Sequence, residues 1–411
     1  MSRVEKWLFR NVLSSLGNPA VRFHLWDGDR ICTSNAKPVA DVFIKDRTTL
    51  LKFIYNPELY FGDAYSNGSL EVEGDLIGLL ETVYRSVAKV SAMGGGRILA
   101  SLWLGRKQAN TRNGSRKNIH HHYDIGTDFY KLWLDSRLVY TCGYFPSARE
   151  TLEEGQVAKM DYVCQKLQLQ PGETVVEAGC GWGALALHMA RHYGVSVKAY
   201  NISQEQIRYA RERAQREGLS DRVEFIEDDY RNISGVFDAF VSVGMLEHVG
   251  PSHYQELGSV INRTVKPDGR GFLHFIGRDR ERLLNVWIRK RIFPGAYPPT
   301  LRQVMDVLEP GGFSVLDVEN LRLHYARTLE CWLDKFERSA DRVSEMYGPE
   351  FVRAWRLYLA GSLVAFQTGW MQLFQVAFAR PARTQIPWNR KYLYTSDWNE
   401  DEEKRWITAT R

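Results

Sequence analysis

Val175-Val-Glu-Ala-Gly-Cys-Gly-Trp-Gly183 is the stretch that decides the fold of this 411-residue chain. A β-branched run ends in Glu177 and opens into Gly179, Gly181 and Gly183, with apolar Ala184-Leu-Ala-Leu187 behind. Glycines let a backbone turn sharply and let a ligand approach, because no Cβ stands in the way. A strand feeding such a turn and then a helix is how α/β domains bind nucleotide-like ligands at strand C-termini. The spacing is G-x-G-x-G, which matches neither the dinucleotide fingerprint nor the phosphate loop. After the next strand-like run, the position where an acid would hold a ribose is Asn201. An adenosyl ligand without phosphates fits this pattern, with S-adenosylmethionine (SAM) first. For the bare motif, an ordinary glycine-rich turn is the alternative.

Outward from this loop the chain alternates. Strand-like runs at 174–177, 195–200, 223–226, 239–243 and 271–275 interleave with helical patterns at 152–167, 184–192, 203–217 and 254–265. That alternation predicts a doubly wound, mainly parallel α/β sheet. Pro171-Gly172 and Pro267-Asp-Gly269 read as turns, and Ser203 with Gln206 as a capping box. The apolar stretch 326–371 is mostly helical in pattern and too long for a crossover, so it predicts a helical insertion. Residues 372–379 read as a last strand. Residues 1–104 read as a small α+β domain with strands at 21–26, 40–45 and 50–54, a hairpin at Asp27-Gly28-Asp29 and a helix at 75–90. The basic, polar segment 105–118 reads as a linker carrying Arg106, Lys107, Arg112, Arg116 and Lys117. The chemistry is expected in 119–385, and 386–411 is a tail without an assigned role.

A hydrophobic content of 44% with 25% charged residues is ordinary globular material, enough for a sizeable core. The net charge of +5 suits an anionic surface without specifying one. Basic residues are interspersed with acids and apolar groups, which argues against nucleic acid. The five cysteines form no C-x-x-C pair, there is no secretory h-region, and no metal site is expected. No run approaches the ~18 apolar residues of a membrane span. The expectation is a cytoplasmic protein.

Six further segments carry the chemistry. They are His121-His-Tyr-Asp-Ile-Gly-Thr-Asp-Phe-Tyr130, Leu138-Val-Tyr-Thr-Cys-Gly-Tyr-Phe145, Asn201-Ile-Ser-Gln-Glu-Gln206, Gly244-Met-Leu-Glu-His-Val-Gly250, Leu273-His-Phe-Ile-Gly277 and His324-Tyr-Ala-Arg-Thr-Leu329. With the glycine loop, and in this order, they resemble the cyclopropane fatty acid synthase family. The resemblance is clear over about residues 115–380 and loose before that. It implies a class I methyltransferase domain of Rossmann-like fold with SAM as cofactor. Tyr123, Tyr140 and Thr141 match positions at the methionine end and sulfonium. Glu177, Gly179, Gly181 and Gly183 match the glycine turn. Asn201, Ile202 and Gln206 match the ribose and adenine segment, and Asp229 with Tyr230 the adenine-side loop. Cys142, Glu247, His274, Ile276 and Tyr325 match positions that hold a bicarbonate ion acting as general base, Cys142 and Ile276 largely through their backbone. Taken singly each has a bland reading: an inert core Cys, a satisfied core His, a packing Tyr, a helix-capping Glu.

Those residue types suit the reaction. The sulfonium makes its methyl an electrophile, and an alkene is a weak nucleophile, so the two must be aligned and water excluded. Attack creates a carbocation, and loss of a proton from the new methyl closes a cyclopropane ring. Several positions depart from the family pattern: Glu177 for Asp, Gly143 for Ala, Leu246 for Phe and Phe275 for Thr. Phe275 lies between two bicarbonate positions, so it is expected to reshape the acyl pocket or shift the base, and a methyl-branched product stays open.

The family's substrate is an unsaturated acyl chain of a phospholipid, implying a partner membrane surface, on its inner face. Trp7-Leu-Phe9, Val12-Leu13 and Leu16, mixed with Arg3, Lys6 and Arg10, make a basic amphipathic N-terminus that suits such a surface. A helix packed on its own domain is the other reading. Arg278, Arg280, Arg282, Arg289, Lys290 and Arg291 around Leu283-Leu284 and Trp287-Ile288 offer head-group contacts or a solvated face. A homodimer is a further option that the family implies. A non-catalytic lipid-binding protein with a vestigial site is the reading from another class, against which intact Glu247, His274 and Tyr325 argue.

Overall fold

The computed structural model describes residues 1–92, 125–147 and 149–394. Tyr123, the linker 105–118 and the end of the tail lie outside them. The chain divides into two compact units: Met1–Leu134 with Gly277–Pro298 and Arg322–Gln372, and Asp135–Ile276 with Pro299–Leu321 and Leu373–Arg411.

The first unit opens with helix α1 (Arg3–Ser15), started by a capping box in which Ser2 and Glu5 satisfy each other's backbone N–H. Its apolar face buries Phe9 and Leu13. Strands β1 (Val21–Leu25), β2 (Arg30–Cys32), β3 (Ala40–Ile44) and β4 (Leu70–Gly74) form a sheet in the order β2-β1-β3-β4. The β1–β2 hairpin turns at Gly28, whose φ is +87°. The expected strand at 50–54 is instead helix α2 (Arg47–Tyr55). Asp46 caps it by accepting from the Thr49 N–H at 2.8 Å, and Leu50 and Phe53 recur at helical spacing. A run of apolar residues this short carries no decisive period, and the cap decides it. Phe9 meets Phe23 at 5.1 Å and Phe53 at 5.8 Å, joining helix, sheet and helix in one core. Helices α3 (Pro57–Ser66), α4 (Leu76–Ala92) and the short α5 (Thr127–Lys131) follow.

The second unit starts with α6 (Leu152–Lys166) and alternates through β5 (Thr174–Ala178), α7 (Ala184–Tyr193), β6 (Ser196–Asn201), α8 (Gln204–Arg216) and β7 (Val223–Glu227). It continues with β8 (Phe237–Val243), α9 (Leu246–Val249), α10 (Tyr254–Thr264), β9 (Val265–Gly277), α11 (Leu301–Leu308), β10 (Ser314–Asn320) and β11 (Gln372–Ala379). The seven strands stand in the order β10-β11-β9-β8-β5-β6-β7. β7 through β9 run parallel, and β10–β11 is an antiparallel edge pair. This is the expected doubly wound class. Strand β9 runs straight through Pro267-Asp-Gly269, where a turn was expected. Its pairing with β8 shifts register between Phe237 and Ala239, which makes room for proline in a strand. Apolar side chains alternate to both faces, Val175, Ala199 and Val241 on one, Val176, Ala178 and Phe240 on the other. Arg191, Arg213 and Arg216 fall in the last turns of α7 and α8, where cations meet the negative helix end, and Glu217 pairs with the first two.

The helical stretch expected at 326–371 is three helices of the first unit: α12 (Arg322–Arg338), α13 (Ala340–Tyr347) and α14 (Pro349–Gln367). Trp355 packs on Phe129 at 5.0 Å, and Trp332 on Trp133 at 5.6 Å. Arg353 donates to the Leu70 carbonyl at 3.0 Å, and Arg291 pairs with Asp63 at 2.8 Å. Among the described residues no helix is long and apolar enough to cross a membrane.

Candidate active site

The chain winds from β5 to β6 and β7 on one side, then returns to β8 and β9 on the other. The strand order therefore reverses between β5 and β8, and ligands of such sheets bind beyond the strand C-termini at that point. Two loops meet there. Gly179, Gly181 and Gly183 follow β5 with φ of +86°, +53° and +83°. Gly244 follows β8 with φ of +76°. A Cβ on Gly179 would come within 3.1 Å of Met245, so the loops are in contact. A Cβ on Gly183 would enter the Phe225 ring at 2.6 Å, whereas above Gly181 there is nothing within 4 Å. Gly183 is needed for packing, and Gly181 leaves the open cradle a bound ligand requires.

Polar groups converge on this cradle. Asn201, at the end of β6, donates to the Gly181 carbonyl at 3.3 Å and to the Gln206 Oε1 at 2.7 Å. Ser203 caps α8, but Gln206 turns to Asn201 instead of closing the expected capping box. Ile202 is half-buried beside them. Glu177 is buried and its Oε2 has no partner, and desolvation pushes its carboxyl up to about 8. Asp229 is buried and committed to Arg231, accepting from its backbone N–H and pairing with its guanidinium at 3.0 Å. Tyr230 is buried, with the Arg231 guanidinium 4.9 Å over its ring. These features fit an adenosyl ligand: a cradle that a Cβ would narrow and an orphaned polar atom on Glu177.

A second group gathers at the ends of β8 and β9. The Gly244 N–H donates to the His274 carbonyl at 2.8 Å, locking the two strand ends together. Glu247, on α9, accepts from the Ile276 N–H at 3.1 Å through Oε1, and its Oε2 is buried without a partner. Desolvation raises its carboxyl to about 7. The Ile276 N–H is thus spent on orienting Glu247. His274 is buried, and burial holds it well below the usual imidazole range, so it is neutral. Its Nδ1 lies 3.2 Å from Gln375 Nε2 on β11. With the amide assigned as donor, the ring proton sits on Nε2, which is buried and unpartnered. An orphaned acceptor on Glu247 and an orphaned donor on His274 fit bicarbonate, which carries one O–H to give and oxygens to accept.

The segment 139–142 joins the same unit. A Cβ on Gly244 would come within 2.9 Å of the Thr141 methyl, so Thr141 sits on the β8 loop. Tyr140 is half-buried, and the Cys142 thiol, fully buried, donates to its neighbour's carbonyl at 3.0 Å. Gly143 suits its place: a Cβ there would meet Gly155 at 3.3 Å. Tyr325 belongs to the other unit, buried on α12 and stacked on Phe366 at 4.4 Å. Phe275 corrects an expectation. It alternates away from His274 and packs in the core against Phe374 at 5.8 Å, so it reshapes no pocket on the His274 face. Gln375 and the α6 pair Gln156 and Lys159 escaped the sequence reading, because a lone amide or lysine in a helical or alternating pattern reads as surface.

Residues 110–376 match the family described as mycolic acid cyclopropane synthetase. Residues 8–93 match a domain family of unknown function. A probable fatty acid methyltransferase of Pseudomonas putida is 33% identical over 393 residues, 93% of this chain and 98% of that one. The cyclopropane-fatty-acyl-phospholipid synthase of Escherichia coli K12 is 41% identical over 260 residues, 63% of this chain and 66% of that one. Among solved structures, the cyclopropane synthase MmaA2 from Mycobacterium tuberculosis superposes with a TM-score of 0.61 at 29% identity, covering 64% of this chain and 98% of that one.

Proposed function

The chain belongs to the mycolic acid cyclopropane synthetase family, and from that premise we propose that it builds a cyclopropane ring on a cis double bond of an unsaturated phospholipid acyl chain. It is a SAM-dependent C-methyltransferase. Bound at the glycine cradle, SAM supplies an electrophilic methyl. Bicarbonate, if held at Glu247 and His274, would supply the base for the proton lost from the new methyl. The chain's residues do the rest. Gly181 leaves room for the cofactor, and Asn201 fixes that loop to α8. The Ile276 N–H aims Glu247 and Gln375 aims the His274 Nε2–H, the two groups that would hold the anion. Cys142 is proposed as a backbone contact to it. The observation that carries this reading is that Glu247, held by the Ile276 N–H two residues beyond His274, and His274 itself each bury a polar atom without a partner among the described residues.

The substrate enters from a membrane. Val4 and Trp7 on α1 are 65% and 63% exposed, and Tyr55 on α2 is 83% exposed. Glu5 and Arg47 join the two helices at 2.7 Å. Arg3, Arg10 and Lys52 are exposed on the same helices. Aromatic rings among cations favour an anionic bilayer interface. Residues 1–104 are proposed as this lipid-facing domain and 119–385 as the catalytic one, working at the inner membrane face, with a homodimer as an option. A methyl-branched product is the second reading, favoured by the name of the Pseudomonas putida relative. The test is mass spectrometry of liposomes holding cis-monounsaturated chains after incubation with SAM. A gain of one CH2 with the alkene consumed is the expected result. The same gain with the alkene retained gives the methyl branch, and no gain removes the lipid proposal.

A further inference from the structure

The segment that carries Tyr140, Thr141 and Cys142 does not hold its own shape. Leu138, just before it, is buried with φ of +58°, a left-handed conformation that costs a branched side chain energy. Something must over-determine it. Asp135, buried, accepts from the Val139 N–H at 2.8 Å and the Arg137 N–H at 3.0 Å. Further grip among the described residues comes from α6. Gln156 donates to the Thr141 carbonyl at 2.8 Å and to the Val139 carbonyl at 3.4 Å. One turn on, Lys159 donates from Nζ to the Thr141 Oγ1 at 3.1 Å. Gly155 of the same helix accepts from the Tyr144 N–H at 2.8 Å.

Lys159 is the odd member. Its side chain is among the largest fully buried ones, yet its polar bond among the described residues goes to a neutral hydroxyl, not to a carboxylate. Burying a lone ammonium costs far more than burying a methionine of the same length. Asp135, Cys142, Cys164 and Glu177 face it, and desolvation holds it down at about 8. An ammonium has only donors. Its bond to Thr141 therefore consumes a hydroxyl lone pair and leaves the hydroxyl proton to be donated elsewhere. A hydroxyl so oriented is a donor toward an acceptor on the cofactor.

We propose that Lys159 is a positioning residue for SAM binding: it acts through Thr141, fixing the hydroxyl as a donor to the cofactor, while Gln156 holds the backbone on either side. The proposal rests on reading 140–142 as part of the SAM site. Its test is equilibrium dialysis with labelled SAM, alongside steady-state kinetics, on Lys159→Met, Thr141→Val, the double variant and Thr141→Ser. Each of Lys159→Met and Thr141→Val should weaken SAM binding by about ten- to a hundredfold, the worth of one charge-assisted hydrogen bond. In Lys159→Met the KM for SAM should rise by the same factor, with kcat at saturating SAM held within about threefold. Because the two side chains act as one, the double variant should bind SAM no worse than either single variant. It should also melt higher than Thr141→Val, which leaves the ammonium with no partner. Thr141→Ser should bind as the unmutated protein does. Unchanged SAM binding in Lys159→Met, or losses that multiply in the double variant, would overturn the proposal. If Lys159→Met does not fold, the double variant against Thr141→Val decides alone, since both of its side chains are apolar. Failure of the unmutated protein to bind SAM would sink the site reading itself, which keeps the two failures apart.

Discussion

Glu247 holds a carboxyl where water does not reach, with one oxygen on the Ile276 N–H and the other on nothing. Its pKa moves from 4.5 to about 7 because burial disfavours the charge. A raised carboxyl has a definite linkage sign. The native state is at its best below 4.5, where both states are protonated, and loses stability as pH rises through about 7 and the buried group ionises. Glu247→Gln removes that loss. The variant should match the parent's stability in acid and exceed it above neutrality, by on the order of 3 kcal/mol at most. It should keep SAM affinity and lose turnover. Thermal melts across pH with lipid turnover on the same samples check this, and a variant less stable than the parent at alkaline pH would contradict it. Glu247, His274 and Ile276 were open to proposal from the sequence because they sit inside ordered motifs. Gln375 and Lys159 were not, since their roles arise from contacts to residues 101 and 18 positions away. No local pattern encodes such contacts.

At the scale of elements, the glycine loop separates two demands that the sequence shows as one motif. Gly183→Ala forces a Cβ to 2.6 Å from Phe225 and 2.9 Å from Ala210 at a φ of +83°. It should cost about 2–4 kcal/mol of stability whether or not SAM is present. Gly181→Ala meets no neighbour, so its cost is the left-handed backbone alone, about 1 kcal/mol. Its effect should fall on SAM affinity instead. Denaturant melts and dialysis on both variants separate the cases; equal stability losses would contradict the assignment of Gly181 to the cradle. Strand β9 makes the same point through alternation. Phe275 faces the α10 side of the sheet with Phe374, and His274 faces the other. Phe275→Thr should therefore destabilise by about 3 kcal/mol through a cavity while leaving the product unchanged. Lipid mass spectra with a new product ratio would put Phe275 back in the pocket. The parallel sheet was readable because its β-branched runs are long and regularly spaced. Helix α2 was misread because five apolar-rich residues fit both periods until the Asp46 cap is seen.

At the scale of the whole molecule, one unit is assembled from three separated stretches of chain. Trp370 donates from its indole to the Tyr84 carbonyl at 3.2 Å, across 286 residues, and Arg353 sits 4.5 Å over the Tyr65 ring. A linear reading shows a helical insertion at 326–371 but not the α+β sheet it packs with. The amphipathic N-terminus, in contrast, was legible: every apolar residue of α1 is placed by its position on the helix. Phe9 and Leu13 turn in, and Val4 and Trp7 turn out. On the proposed membrane reading, these outward side chains and Tyr55 are the ones that enter a bilayer interface. Replacing Trp7 and Tyr55 by Ala should weaken partition onto anionic vesicles by about tenfold for each ring, since burial of a large aromatic is worth roughly 1.5–3 kcal/mol. SAM affinity should not move, because neither ring belongs to the unit that holds the cradle. Raising salt should weaken the remaining binding through Arg3, Arg10 and Lys52, whereas the ring contribution persists. Vesicle sedimentation over a salt series reads both effects. Partition that vanishes at high salt in the unmutated protein would mean the rings stay in water and the cations alone make the contact.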